Sequence, residues 1–339
     1  MIPYLKNALV KRKLSSWILI LAGFTMSGLA FIGCGPTPVS TQVRDLTGTA
    51  FNTTLVLPTA TATPNTNYYF EILIAELERT MPEMHSEDFI IPDKSDEQAF
   101  HSMILAIMDD KPAALTATAA AFNYELLKFF DLGDSGAESY ILREQQPIKK
   151  GWGLYFFRKQ VSQDIVVEAP HPIADENTAE VSLDLYRALK AKALLVAGAH
   201  RDANADGSAD PAHATDSIFQ TVHTSLFKPA GLPDNKTIFL QIHGYSTEEH
   251  PKIPQVVIGY NWQDDPEKDL LISKIVDALQ QNNITVGLCK GKKFQGMCGT
   301  KNVQRLATDG GIFIHMELTE MVRRDDLALV TALQQALNP

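Results

Sequence analysis

The chain has 339 residues, of which 45% are hydrophobic and 21% are charged, and this composition is that of a globular protein with one large domain and appendages. The formal net charge is −10. Such an acidic chain lacks the clustered cations that displace counterions from phosphates, which argues against sequence-independent binding to nucleic acid.

The first 34 residues have the order of an export signal, with four basic residues before an apolar run at 17–32. The end of this run, Phe31-Ile32-Gly33-Cys34, resembles a bacterial lipoprotein signal, although Leu is usual where Phe31 stands. Cleavage before Cys34 would leave its thiol to carry a lipid. The alternative is an uncleaved anchor helix, for which the run is slightly short of the ~20 residues that a bilayer needs. Either interpretation predicts attachment to the membrane, with the remainder of the chain outside the cytoplasm.

Residues 35–67 are rich in Thr and Pro and nearly free of charge. No helical or strand periodicity persists, so this stretch has little apolar surface to bury. We expect a tether that lifts the rest of the chain off the membrane.

A helical section is predicted for residues 68–135. A first helix begins at Tyr68, a second covers 96–108 after a capping-box Ser95, and a third covers 113–130 and stops before Gly133. These helices carry no cluster of convergent polar groups. We therefore expect a structural role for them.

The remaining residues, 136–339, are predicted to form an α/β domain. Strands at 140–143, 152–157 and 164–167 are separated by turn residues, which favours hairpin-connected antiparallel pairing. After residue 178 helices and strands alternate, which favours parallel strands with right-handed crossovers. These later elements are helix 179–192, strand 193–196, helix 216–227, strands 237–242 and 255–259, helix 266–281, strands 284–288 and 312–317, and a final helix that ends at Leu337. The predicted fold class is α/β, with a mixed, partly parallel sheet flanked by helices.

Side chains that carry chemistry follow several of these strands. In open α/β sheets ligands bind at the carboxyl ends of the strands, so residues far apart in sequence can converge there. Two histidines and a carboxylate can hold a zinc ion with a position open for water, a second carboxylate can take the proton of that water, and an arginine can clamp a substrate carboxylate. The candidates in chain order are His171, Asp175, Glu176, His200, Arg201, His243 and Glu317.

Each candidate taken alone also has an ordinary structural interpretation. Glu176 suits the first turn of a helix, where the macrodipole favours an acid. Arg201 can pair with Asp202 on the surface, and His315 competes with Glu317 for a position that faces the site, because residues two apart on a strand share one face. The joint occurrence at successive strand ends supports a metal site.

These motifs resemble the zinc carboxypeptidase superfamily, and the compact poly-gamma-glutamate hydrolase branch more than the digestive carboxypeptidases. The similarity covers roughly Trp152 to Arg324. The segments that carry it are Ala-Pro-His171-Pro with Asp175-Glu176-Asn-Thr, Ala-His200-Arg201-Asp-Ala-Asn, Asp210-Pro-Ala-His213, Gln-Ile-His243-Gly and Ile-His-Met-Glu317-Leu.

The resemblance implies a ligand set and a reaction. It implies His171, Glu176 and His243 as zinc ligands, Glu317 as general base and Arg201 as the clamp on a substrate carboxylate. The digestive carboxypeptidases place their ligand glutamate three residues after the first histidine, where this chain has Ala174, so Asp175 remains an alternative to Glu176. The expected protein is a membrane-tethered zinc-dependent amidase or peptidase that acts on an acidic peptide or a gamma-glutamyl polymer. The alternative is a non-catalytic lipoprotein that binds a ligand with the same fold.

The segment Asp202-Ala-Asn204-Ala-Asp206-Gly207 matches the opening of a calcium-binding loop, with oxygen ligands at alternate positions. Its twelfth position is His213, where a bidentate Glu is expected. This mismatch favours a polar surface turn.

Cys289 and Cys298 remain once Cys34 is assigned to a lipid. Outside the cytoplasm two such cysteines, nine positions apart, are expected to form a disulfide. The loop between them contains three lysines. It would either overhang the active site and attract an anionic substrate or form a stapled surface loop.

Overall fold

The structure is a computed structural model that describes residues 40–44, 50–54, 69–111, 115–131, 137–161, 163–227, 237–261, 265–290, 293–308 and 311–337. The predicted signal segment and Cys34 lie outside the described residues. None of the helices within these ranges is long and apolar enough to cross a membrane.

The chain divides into two compact units, Met1–Thr63 and Pro64–Pro339. In the first unit strand β1 (Ser40–Arg44) pairs antiparallel with β2 (Ala50–Thr54). These two short strands lie within the predicted tether, residues 35–67, whose role as a tether stays a prediction. Thr and Val in these stretches favour extended backbone.

The second unit contains a nine-stranded mixed sheet, which confirms the predicted fold class. The strands are β3 Tyr124–Asp131, β4 Ala137–Glu144, β5 Leu154–Arg158, β6 Gln163–Ala169, β7 Ala191–Val196, β8 Ile238–Tyr245, β9 Val256–Tyr260, β10 Val286–Leu288 and β11 Ile312–Thr319. Their order in the sheet is β10-β9-β11-β8-β6-β7-β5-β4-β3.

The sheet has a parallel centre and antiparallel pairs on both sides of it. Strands β7, β6, β8 and β11 are mutually parallel. On one side, β7, β5, β4 and β3 pair antiparallel in that order. On the other side, β9 pairs antiparallel with β11, and β10 is parallel to β9.

Helices cover both faces of this sheet. The helices of the described residues are α1 Tyr69–Thr80, α2 Lys94–Met108, α3 Leu115–Ala121, α4 Thr178–Ala188, α5 Ile218–Leu226, α6 Pro266–Gln281, α7 Val303–Ala307, α8 Glu320–Arg324 and α9 Leu327–Leu337. Helices α1, α4, α6 and α9 bury apolar side chains in the core on one face of the sheet, and α2, α3 and α5 do so on the other face. Burial of the apolar face of each helix against the sheet is the main favourable contribution to this arrangement.

Helix starts follow the capping chemistry in the sequence. Asp93 caps α2, accepting hydrogen bonds from the backbone N–H groups of Ser95 and Asp96, and the Asp96 side chain accepts in return from the Asp93 backbone N–H. The capping box therefore begins two residues before the predicted one at Ser95. Helix α6 has the predicted bounds, with Asp265 as cap and Pro266 in its first turn.

The third predicted helix, at 113–130, was wrong in its second half. Helix α3 ends at Ala121, and Asn123 adopts a left-handed backbone with φ 62°. Tyr124 then begins edge strand β3, where its hydroxyl donates to the carbonyl oxygen of Gly153. Pairing with β4 overrides the local helix preference of this stretch. The predicted boundary at residue 136 therefore falls between two paired strands.

The predicted hairpin between the strands at 152–157 and 164–167 was also wrong, because β7 lies between β5 and β6 in the sheet. Residues Ile165 to Ala169 of β6 are buried, and both neighbours of this strand are parallel to it. An apolar run of this kind is typical of a central strand of a parallel sheet rather than of a half-exposed hairpin.

A pair of carboxyl groups lies where α4 meets the start of α9. Burial and the charge of Asp184 raise the pKa of Asp326 to about 6. A carboxyl whose pKa is higher in the folded than in the unfolded protein favours folding most below its ordinary pKa, and this contribution is lost as the pH rises through about 6. The pair should therefore weaken the fold at neutral and alkaline pH.

Asp326→Asn is expected to stabilise the protein at pH 8 and to have little effect at pH 4. The gain at pH 8 should be on the order of 1 kcal/mol, since Asp326 is only partly buried and solvent screens the repulsion. Urea unfolding at both pH values measures the free energy, and Asp277→Asn, at an exposed residue on α6, is the control. An equal gain at both pH values would contradict the explanation.

Candidate metal centre

Four mutually parallel strands, β7, β6, β8 and β11, end at one edge of the sheet and bring the predicted candidates together. His171 follows β6, Arg201 follows β7, and His243 and Glu317 lie near the ends of β8 and β11. Glu317 is the register partner of His243, so both side chains project from the same face on adjacent strands. The sheet topology thus places residues from four distant parts of the chain along one edge.

His171, Asp175 and His243 form a three-ligand cluster that could hold a metal ion. One ligand atom from each residue lies within 4.8 Å of the other two, and all three residues are buried. Oδ2 of Asp175 lies 3.3 Å from Nδ1 of His171 and 3.4 Å from Nδ1 of His243. Such separations suit atoms that share an ion at bond lengths of ~2 Å.

Asp175, rather than Glu176, provides the carboxylate of this cluster. The backbone N–H of Asp175 donates to the carbonyl oxygen of His171, and this single turn returns the Asp175 side chain to the imidazole. The N–H of Gly244, next to His243, also donates to Oδ2 of Asp175 at 3.1 Å. Glu176 is exposed, and its backbone carbonyl faces the protein interior.

The imidazole nitrogens that face away from the cluster also have partners. Nε2 of His171 lies 2.9 Å from Oδ1 of Asp210, and Nε2 of His243 lies 2.7 Å from Oε1 of Gln241. Asp210 accepts further hydrogen bonds from the Ala212 backbone and from Arg201. Partners of this kind orient histidine ligands in metal centres, so the donor set of two imidazoles and one carboxylate fits a divalent metal ion.

The pKa values of the cluster reflect burial and close contacts. Burial lowers the pKa of His171, but its hydrogen bonds to Asp175 and Asp210 outweigh burial and raise that pKa to about 9. Burial raises the pKa of Asp175, but its contacts with the two histidines hold that pKa well below its usual range. Burial and the charge of His315 lower the pKa of His243 to about 4. The contacts of His171 with Asp175 and Asp210 thus favour its protonated form, whereas burial favours a neutral His243, so a metal ion would compete with a proton for His171.

Glu317 lies beside the cluster with His315 as its partner. Nε2 of His315 lies 3.1 Å from Oε1 of Glu317, and the rings of His315 and His243 are 4.3 Å apart. His315 and Glu317 therefore both lie on the face of β11 that is turned to the site, as expected for residues two apart on a strand. Nδ1 of His315 is buried without a hydrogen-bond partner among the described residues, and the ring packs on Gly299, where a Cβ would lie 2.8 Å from that nitrogen.

Arg201 lies at the rim of the cluster. Its Nη2 donates to Oδ2 of Asp210 at 2.9 Å, and its Nη1 lies 3.5 Å from Nδ1 of His171. The side chain retains 35% exposure, so it can be reached from solvent. His200 lies outside the cluster, and its Nδ1 accepts a hydrogen bond from the Asp202 backbone.

Arg323 on α8 joins the three chain segments that carry the site. Its guanidinium donates to the carbonyl oxygens of Glu176, Tyr245 and Leu318. These residues lie one or two positions after Asp175, His243 and Glu317. Gly244 packs against the guanidinium so closely that a Cβ would lie 2.2 Å from Nη1. One buried side chain therefore links all three segments. Arg323 could not be predicted as a site residue, because no local sequence pattern indicates a contact with three distant carbonyls.

The calcium-like segment, residues 202–207, forms hydrogen bonds with the chain segment that precedes α2. Asn204 exchanges hydrogen bonds with the backbone of Phe89, and the carbonyl oxygens of Asp202 and Ala203 accept from the N–H groups of His85 and Glu87. The motif thus docks the segment before α2 onto the turn next to Arg201, in accordance with the polar-turn interpretation.

Cys289 and Cys298 form the predicted disulfide, with Cα atoms 5.7 Å apart. Cys289 and Met297 pack on Tyr245 and Val257, and Val257 is the register partner of Glu317. Gly299, just after the disulfide, packs on His315. The described part of the stapled loop therefore borders the Glu317 side of the site.

No protein-family model matches the chain, and no curated protein matches it. Among solved structures the chain is similar to a bacteriophage poly-gamma-glutamate hydrolase, at 13% identity and a TM-score of 0.36, over 51% of this chain and 82% of that one. It is also similar to a metallo-carboxypeptidase from Burkholderia cenocepacia, at 10% identity and a TM-score of 0.35, over 68% of each chain. A gene product from Agrobacterium tumefaciens has 13% identity and a TM-score of 0.38, over 52% of this chain and 90% of that one.

Proposed function

We propose that this protein is a zinc-dependent hydrolase of amide or peptide bonds, with His171, Asp175 and His243 as the zinc ligands. The proposal rests on the buried three-ligand cluster, in which hydrogen bonds to Asp210 and Gln241 orient the imidazoles of His171 and His243. Two nitrogens and one carboxylate oxygen are a donor set of catalytic zinc sites, which keep a further position open. Glu317 on the adjacent strand supplies a carboxylate outside the ligand set.

The chain's own residues account for the proton transfers. When bound, zinc would polarise the scissile carbonyl and lower the pKa of water at the open position. Glu317 takes a proton from the attacking water and later delivers it to the departing amine. The hydrogen bond between His315 and Oε1 of Glu317 orients this carboxylate, leaving Oε2 to receive the proton.

The position of Arg201 is the reason for proposing an acidic substrate. Its contact with Asp210 holds the guanidinium next to His171, and its remaining N–H groups donate to a substrate carboxylate. We therefore propose an acidic peptide or a gamma-glutamyl polymer as the substrate class.

The proposed location is the extracytoplasmic face of a membrane, with the chain anchored through lipidated Cys34. The lipoprotein-like order of residues 1–34 supports this location. The disulfide between Cys289 and Cys298 is also in keeping with an oxidising compartment.

The test combines metal analysis with an activity assay on the purified protein. We expect one zinc ion per chain after dialysis, hydrolysis of poly-gamma-glutamate or an acidic peptide, loss of activity with a chelator and recovery with added zinc. His243→Ala should remove both the metal and the activity. A protein that retains no stoichiometric zinc would refute the proposal. Zinc binding without turnover of either substrate would favour the non-catalytic binding protein instead.

A further inference from the structure

We propose that Gln241 determines which nitrogen of His243 carries the proton and thereby presents an unprotonated Nδ1 to the metal position. The metal in this statement rests on the proposed function, but the position of the proton can be measured without metal. Gln241 and His243 lie two residues apart on β8, with both side chains on one face of the sheet and both buried. Oε1 of Gln241 is 2.7 Å from Nε2 of His243.

The orientation of the Gln241 amide is fixed from one side by Asn302. Asn302 caps α7, and its Oδ1 accepts hydrogen bonds from the backbone N–H groups of Gln304 and Arg305 at 3.0 and 3.1 Å. Backbone N–H groups can only donate, so this oxygen cannot exchange places with the amide nitrogen. The Asn302 nitrogen is therefore the atom that faces Gln241, and it donates to Oε1.

Glu168 fixes the same amide from the other side. Oε2 of Glu168 accepts from Nε2 of Gln241 at 2.9 Å, and Oε1 lies 2.7 Å from Nδ1 of His223. Glu168 and His223 are both fully buried. Whether their shared proton is on the oxygen or on the nitrogen, Oε2 accepts the hydrogen bond from Gln241.

The far end of this buried network is also oriented. The Thr308 hydroxyl donates to the carbonyl oxygen of Gln304, so its oxygen accepts the hydrogen bond from Nε2 of His223. Nδ1 is then the His223 nitrogen that faces Glu168. Apart from the proton shared by Glu168 and His223, whose position does not affect Gln241, the network has one consistent set of donors and acceptors.

The consequence for His243 follows from the acceptor role of Oε1 of Gln241. Nε2 must carry the proton, because an unprotonated Nε2 would place two acceptors 2.7 Å apart in a buried site. Nδ1 is then unprotonated and faces Asp175 and His171. The opposite tautomer would donate its Nδ1 proton to Asp175 and would block the metal position. Gln241 is thus a positioning residue that acts through His243.

Nitrogen-15 histidine NMR of the metal-free protein tests this inference directly. In the wild type, the His243 signal, assigned by its absence in His243→Asn, should show a protonated Nε2 and an unprotonated Nδ1. Gln241→Met has a similar length but replaces the amide oxygen with a thioether, which is only a weak acceptor, so the proton should move to Nδ1 and be shared with Asp175. Zinc affinity should fall roughly 10- to 100-fold, the usual loss when an outer partner of a ligand is removed.

Ser139→Ala is the matched control. It removes a buried hydroxyl that contacts Tyr186, on strand β4, which β5 separates from the four strands that end at the site. This variant should lose stability but keep the His243 tautomer and the zinc affinity. A protonated Nδ1 in the wild type, or an unchanged tautomer in Gln241→Met, would overturn the inference. If Gln241→Met does not fold, the wild-type spectrum still decides. If the protein binds no zinc, the proposed function fails, whereas the tautomer result stands.

Discussion

Asp175→Asn is expected to lower the zinc affinity by more than the ~10- to 100-fold loss that follows removal of an outer partner, because it removes a ligand charge. Asn would retain the size of Asp175 and its contact with the Gly244 region, so the turn after His171 should persist. Glu176→Gln changes the next residue, which is exposed, and should leave the affinity within roughly threefold of the wild type, as expected for a surface change.

The pair of variants separates the two candidate carboxylates. Competition with a chromophoric chelator measures the affinity, and circular dichroism confirms that both variants are folded. The opposite order of affinities would assign the ligand to Glu176, which the resemblance to poly-gamma-glutamate hydrolases implies, and would require a different conformation of residues 171–178.

Glu317→Gln is expected to lower kcat by roughly 10²- to 10⁴-fold, because an amide cannot take the proton of the attacking water. Zinc affinity should change little, since Glu317 lies outside the three-ligand cluster. The variant therefore separates catalysis from metal binding, which His243→Ala does not.

Glu320→Gln provides a control on the same stretch of chain. Glu320 accepts hydrogen bonds from Thr247 and makes no contact with the cluster among the described residues. Single-turnover rates on the acidic substrate, with zinc content measured in the same samples, distinguish the two variants. Full turnover by a zinc-loaded Glu317→Gln protein would exclude Glu317 as the general base.

The sequence could predict which residues approach the site but not every contact between them. The rule that parallel strands end at one edge of the sheet is independent of sequence distance, and it brought His171, Arg201, His243 and Glu317 together. The difference between Asp175 and Glu176 depends on one backbone hydrogen bond from Asp175 to His171. Adjacent residues in a turn point in different directions, and neither composition nor spacing determines which one points inward.

Long-range pairing explains the errors in the fold. The stretch from Tyr124 to Asp131 has apolar residues at spacings that suit a helix, and only β4, paired beside it, makes it a strand. Likewise, no local feature predicts that β7 enters the sheet between β5 and β6. Gln241, Glu168 and Asn302 were missed because each is an ordinary residue until the network joins them.

The position of Arg323 in the chain has a consequence for how the protein matures. The three carbonyl groups that it binds, at Glu176, Tyr245 and Leu318, all precede it in the sequence. During synthesis on the ribosome, these segments therefore emerge before the side chain that joins them. His171, Asp175 and His243 are present in the nascent chain well before Arg323 is, so the contacts that link the three segments can form only after the chain has been synthesised through α8.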